Sequence, residues 1–142
     1  MATTRIANAH WEGSLMDGSG NVSLDSSNTG RFDVTWASRA ESPDGRTSPE
    51  ELIAAAHSTC FSMALSHGLA GNGHPPQEVD TRAEVDFVAG TGITQIRLTV
   101  RARVDGLSND EFVAAAEDAK ANCPVSQALK AVDITLDAAL AD

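Results

Sequence analysis

The chain has 142 residues and a mass of 14.8 kDa, a length that makes one domain with a core of its own. Hydrophobic residues are 42% of it and charged residues 21%, an ordinary globular balance that argues against a largely disordered chain. Twenty acidic against ten basic residues leave a net charge of −10, so nucleic acid and anionic membrane surfaces, which need clustered Lys and Arg, are poor partners.

No apolar run reaches the ~20 residues of a spanning helix, and Met1–Ile6 holds no apolar stretch of the kind a secretory signal needs. The expected compartment is the cytoplasm, where thiols stay reduced. There the two cysteines read as chemistry rather than as a structural staple.

The first 46 residues read as β. Gly13, Gly18, Gly20 and Gly30 punctuate three candidate strands, Arg5–Glu12, Gly20–Asp25 and Gly30–Trp36, the last with Phe32, Val34 and Trp36 on one face. Next comes the strongest helix signal in the chain. Ser48 is an N-cap, Pro49 fills the first helical position and Glu51 stands three after the cap. Glu50 and Glu51 also suit the positive end of the helix dipole. The helix continues past Cys60 and ends by Gly68 or Gly71. It is small or apolar on all sides, as a buried helix is. In so small a domain a second subunit covers it most easily, so a dimer is expected.

Gly71 to Pro76 is a loop. Val79, Ala83, Val85 and Phe87 alternate with Asp80, Arg82, Glu84 and Asp86. After the turn Ala89–Gly92, the run Ile96, Leu98, Val100, Ala102, Val104 alternates with Arg97, Arg101 and Arg103. These two segments predict a hairpin with mostly acidic residues facing mostly basic ones on its solvent side. Ser108-Asn109-Asp110-Glu111 is a second capping box and opens a helix to about Ala121. Asn122-Cys123-Pro124 interrupts it. A short helix, Val125–Lys130, and a last strand through Val132, Ile134, Leu136 and Ala138 complete an α+β chain with an antiparallel sheet.

Three side chains are candidates for chemistry. Cys60 sits in the middle of the buried helix, where a free cysteine is often a small hydrophobe. To react it must form a thiolate, which needs a cation. The helix has no Lys or Arg, so the cation must come from Arg31, Arg39, Arg46 or a partner chain. Cys123 stands at a helix break, and a thiol there suits a resolving role against an oxidised Cys60. His57 is one turn before Cys60; it is either a core histidine or the base of a Cys–His acyl hydrolase. No spaced metal-binding pattern and no glycine-rich phosphate loop occur.

Ser48–Ser66 around Cys60, and Asn122–Lys130 around Cys123, resemble the two cysteine motifs of the OsmC/Ohr family. Ala9-His10-Trp11-Glu12-Gly13 and Ile134-Thr135-Leu136-Asp137 are similar to the OsmC branch in particular. The resemblance covers nearly the whole chain, 1–142, in order. It implies antiparallel sheets packed around a long central helix in an intertwined homodimer, and a thiol peroxidase active in oxidative and osmotic stress. Such an enzyme reduces organic hydroperoxides, and hydrogen peroxide more weakly, without a cofactor or metal, and is recycled by an external dithiol.

Carried over by residue, the resemblance makes Cys60 the peroxidatic cysteine, Cys123 the resolving one, Glu50 the active-site glutamate and Arg39 the activating arginine, with Arg46 its rival. Glu50 and Cys60 are ten residues apart, about 15 Å along one helix axis, so they cannot share a reaction centre within a subunit. Antiparallel packing of two central helices would bring Glu50 of one chain to Cys60 of the other, a composite site. The other readings are an apolar-ligand binder with inert cysteines, and the Cys60/His57 hydrolase.

Overall fold

Residues Met1 to Asp142 are all described in a computed structural model. In chain order the elements are β1 (Asn8–Glu12), β2 (Ser19–Ser23), β3 (Arg31–Val34), α1 (Trp36–Ala40), α2 (Pro49–Gly71), β4 (Glu78–Val88), β5 (Gly92–Arg103), α3 (Asn109–Asn122), α4 (Pro124–Ala128) and β6 (Asp133–Leu140). The chain forms two units, Met1–Leu52 and Ile53–Asp142; α2 starts in the first and continues in the second.

In the first unit, β1, β2 and β3 form an antiparallel meander with Trp11 opposite Gly20 and Val22 opposite Phe32. A Cβ on Gly20 would collide with the His10 carbonyl oxygen and stand 2.8 Å from the Trp11 ring, so glycine is what lets the indole lie across β2. The strands are shorter than the glycine spacing predicts. The third stops at Val34 instead of reaching Trp36, because Thr35 caps a helix there. The Thr35 hydroxyl oxygen accepts the Ser38 N–H at 3.0 Å, and the Ser38 hydroxyl oxygen accepts the Thr35 N–H at 2.9 Å. These reciprocal bonds satisfy two amides that a strand would have left to a neighbour.

Helix α2 begins at Pro49 as its sequence predicts. The Ser48 hydroxyl accepts the Glu51 N–H at 3.1 Å, but the Glu51 carboxylate turns to the Thr47 hydroxyl at 2.7 Å instead of closing the box on Ser48.

In the second unit, β5 is the central strand. It pairs antiparallel with β4, and Glu84 faces Arg97 and Glu78 faces Arg103 in that register. The polar face is laced with ion pairs, among them Arg97–Asp86 at 2.7 Å and Arg103–Glu78 at 2.9 Å, so the arginine stripe is a solvated face held by acids. On the other side β5 pairs with β6 in parallel, which corrects the expectation of a purely antiparallel sheet. The physical reason is the crossover. Helices α3 and α4 carry the chain back to the end where β5 began, so β6 enters in the same direction.

Ile96, Leu98, Val100 and Ala102 of β5 form a core with Phe61, Leu65 and Leu69 of α2 and Phe112, Ala116 and Ala119 of α3. Full burial of one such side chain contributes roughly 1.5–3 kcal/mol. Beyond Glu50 in its first turn, helix α2 buries one stripe, which His57 begins and which continues through Phe61, Leu65 and Leu69; Met63 remains 67% exposed. A single chain therefore does not cover this helix on all sides, although its sequence is apolar or small there. No helix is long and apolar enough to cross a membrane.

Candidate active site

Two clusters of functional groups are built from residues the sequence singles out, one in each unit. In the first, α1 presents Arg39 from its last turn and α2 presents Glu50 from its first. Arg39 Nε donates to Glu50 Oε1 at 3.0 Å and Nη2 donates to Oε2 at 2.9 Å, a two-pronged grip on the carboxylate. Glu50 is 7% exposed, while the Arg39 side chain keeps 30% of its surface. The Ser38 hydroxyl donates to the Thr47 carbonyl at 2.8 Å, which ties α1 to the segment leading into α2. Arg46 takes no part in this grip; it lies 3.8 Å from Asp44 on the surface. Of the two arginines the sequence offers, the one on Glu50 is Arg39.

Beside this pair lies a cavity of about 350 Å³ lined by Trp11, Leu15, Val34, Thr35, Trp36, Arg39 and Pro49. Its walls are mainly apolar and Arg39 is its charged member. An apolar cleft with a few convergent polar groups is the usual form of a small-molecule site.

In the second unit, Cys60 of α2 meets Cys123 at the break between α3 and α4. The break is real: Cys123 ends α3 with its N–H on the Ala119 carbonyl at 2.8 Å, and Pro124 starts α4. Both thiols are free; Cys60 is half-buried and packs against the core that holds the buried Cys123, and each shifts the titration of the other. Burial pushes the Cys60 thiol up from its ordinary 9.0, and the hydrogen bond it shares with Cys123 pushes it the same way. Burial raises Cys123 too. It is outweighed by hydrogen bonds that Cys123 accepts from Cys60, from the amide and hydroxyl of Ser126 and from the Val125 amide, so Cys123 ends below its ordinary value. Within the chain the lower thiol is thus Cys123, whereas the sequence reading expects Arg39 to lower Cys60. A neighbouring sulfur that takes Cys60 as its donor stabilises the protonated form of Cys60.

His57 does not pair with Cys60. Its Nε2 lies 2.7 Å from the Ser126 hydroxyl, both residues are buried, and its Nδ1 has no partner. Burial holds the imidazole below its ordinary 6.5. The acyl-hydrolase reading needs a Cys60–His57 contact and does not find one. Ser126 carries no signal in sequence alone. The only local clue is that it follows Cys123 by three residues, as His57 precedes Cys60 by three. No cluster of three or more His, Cys, Asp and Glu is arranged as a metal site.

The fold and the paired cysteines define a small α+β protein with a dithiol in its core. Residues 42–137 match the family described as OsmC-like protein. The chain is 44% identical over 140 residues to the peroxiredoxin OsmC of Escherichia coli K12, covering 96% of each chain. It is 30% identical over 104 residues to the organic hydroperoxide resistance protein OhrA of Bacillus subtilis, covering 71% of this chain and 73% of that one. Among solved structures, an organic hydroperoxide resistance protein OsmC from Legionella pneumophila superposes with a TM-score of 0.72 at 26% identity, covering 98% of both chains. An OsmC-like protein from Mycoplasma pneumoniae reaches 0.74 at 12% identity, a likeness of fold alone, covering both chains completely. The chain belongs to the OsmC family.

Proposed function

We propose that the protein is a two-cysteine thiol peroxidase that reduces organic hydroperoxides to alcohols, with residues 1–142 acting as one OsmC-like domain of a homodimer. The observation that carries the reading is that Cys60 packs against the core that holds Cys123 and that each thiol shifts the titration of the other. The names of the E. coli and B. subtilis relatives support the same activity.

In this mechanism the Cys60 thiolate attacks the terminal peroxide oxygen. The O–O bond breaks, the alkoxide leaves and takes up a proton, and Cys60 becomes a sulfenic acid. The Cys123 sulfur then attacks the Cys60 sulfur. The S–S bond forms, the S–O bond breaks, and the departing hydroxide combines with the proton lost by Cys123 to give water. An external dithiol reduces the disulfide by exchange.

Arg39 supplies the positive charge that Cys60 needs, and Glu50 holds that arginine in place. Guanidinium suits the role because it stays charged when desolvated and offers several donors. The helix arithmetic supports a composite site, Arg39 and Glu50 of one subunit beside Cys60 of the other. The uncovered Met63 face of α2 supports burial against a second copy. The apolar cavity beside Arg39 supports a hydrophobic organic group on the peroxide in preference to hydrogen peroxide.

The test is to add one equivalent of cumene hydroperoxide to the reduced protein without a reductant and count the remaining thiols. Loss of both thiols with one alcohol formed supports the mechanism. Survival of both thiols with the peroxide intact refutes it and moves the cavity, as a binding site for an apolar ligand, to first place.

A further inference from the structure

Two one-turn pairs meet in the second unit: His57 and Cys60 on α2, Cys123 and Ser126 across the start of α4. Cysteine meets cysteine, and histidine meets serine. The mechanism above uses the first match. It leaves the second without a role, although His57 has no exposed surface and Ser126 only 5%.

The hydrogens in this cluster can be assigned by counting. A serine hydroxyl has one hydrogen. His57 Nδ1 is buried with no partner, so the ring proton sits on Nε2 and the Ser126 oxygen accepts it across the 2.7 Å contact, which leaves the serine hydrogen for the neighbouring Cys123 sulfur. His57 is then the neutral Nε2–H tautomer, and its Nδ1 is a bare lone pair, since a proton there would have no acceptor. Donors thus run in one direction, from His57 to Ser126 to Cys123.

Oxidation of Cys60 makes this chain matter. Once Cys60 is a sulfenic acid its S–H is gone, and with it one of the donors on Cys123. The Ser126 hydroxyl, the Ser126 amide and the Val125 amide remain.

We propose that His57 and Ser126 form a buried donor relay for the resolving cysteine, in which His57 fixes the Ser126 hydroxyl and that hydroxyl holds the Cys123 sulfur for attack on a modified Cys60. Ser126 touches the reacting sulfur and is a catalytic residue; His57 acts through it and is a positioning residue. The proposal rests on Cys123 closing a disulfide with Cys60, so its test is kept apart from peroxide chemistry.

The reduced protein is treated with one equivalent of 2,2′-dithiodipyridine. Cys60 forms a mixed disulfide and releases one pyridine-2-thione. Cys123 then displaces the second, forming the Cys60–Cys123 bond as the mixed disulfide breaks. The second release reports Cys123 attack alone. Ser126→Ala should slow it by about tenfold to a hundredfold, and Ser126→Thr should recover most of the loss. His57→Leu should slow it comparably, and His57→Gln, which keeps a side-chain N–H, should recover part. Nitrogen-15 spectra of the reduced protein should show His57 protonated at Nε2 and bare at Nδ1. Second-phase rates within about twofold of wild type in both Ser126→Ala and His57→Leu, or a proton on Nδ1, would overturn the relay. A protein that closes its disulfide normally here but consumes no cumene hydroperoxide keeps the relay and loses the peroxidase reading.

Discussion

Arg39 grips the Glu50 carboxylate through Nε and Nη2, and Glu50 is the more deeply buried of the two. The burial is unequal, so removing either partner has unequal consequences. Arg39→Ala strands a buried carboxylate and should cost about 1–3 kcal/mol of stability, less than a fully buried pair because the arginine is partly solvated. Glu50→Gln should cost less. On the rate of peroxide reduction the order is the same: Arg39→Ala loses about a hundredfold or more, since it removes the charge itself, and Glu50→Gln about tenfold. Urea denaturation and stopped-flow peroxide consumption check the two rankings.

Cys123→Ser separates the halves of the proposed cycle. It should consume one equivalent of peroxide, leave Cys60 as a sulfenic acid that dimedone traps, and then stop with a dithiol present. Cys60→Ser should consume none. Normal turnover by either variant contradicts the assignment of the two cysteines.

The composite site makes a prediction about mixed dimers. Arg39→Ala and Cys60→Ser chains are each expected to be inactive alone. Unfolded and refolded together, they should recover activity, because a mixed dimer holds one site with an intact Arg39 from one chain and an intact Cys60 from the other. A mixture as inactive as its parts would place both residues of each site in a single chain.

Thr35 caps the five-residue helix that carries Arg39. Thr35→Ala should cost about 1 kcal/mol, the usual worth of such a cap. The loss of peroxidase rate should exceed what that instability explains, since fraying α1 releases the arginine. Thr35→Ser keeps the hydroxyl and should restore both quantities, read by thermal melts and by kcat/KM.

Stability should depend on pH through His57. Burial holds its folded ring below 6.5, while the unfolded chain takes up a proton at that ordinary value. Below pH 6.5 the unfolded state therefore binds more protons, and stability falls as pH falls until the folded ring is protonated. Above pH 6.5 this contribution is flat. Asp25, Glu84 and Asp86 are lowered as well, by hydrogen bonds to Ser23 and Asn8, to Arg82 and to Arg97 respectively. Their contributions are lost only in more acid solution, below the ordinary carboxylate values of 3.8 to 4.5. Denaturation midpoints from pH 7 to 5 should slope in the wild type and flatten in His57→Gln.

What neighbours within a turn or two can encode was legible along the chain. Ser48-Pro49 started α2, Ser108 with Glu111 started α3, and Cys123-Pro124 broke the helix after it, because caps and prolines act on amides a few residues away. The hairpin of β4 and β5 was legible because side chains alternate faces with a period of two and opposite charges recur at facing positions. Helix α1 was hidden, since its cap is a Thr–Ser pair inside a run that also alternates like a strand. The direction of β6 was hidden because alternation reads the same parallel or antiparallel. The family resemblance named Arg39 and the two cysteines, but only tertiary structure put Arg39 rather than Arg46 on Glu50 and joined His57 to Ser126 across 69 residues of chain. Those pairings come from how helices pack on the sheet and where the crossover returns, and no local pattern carries that information.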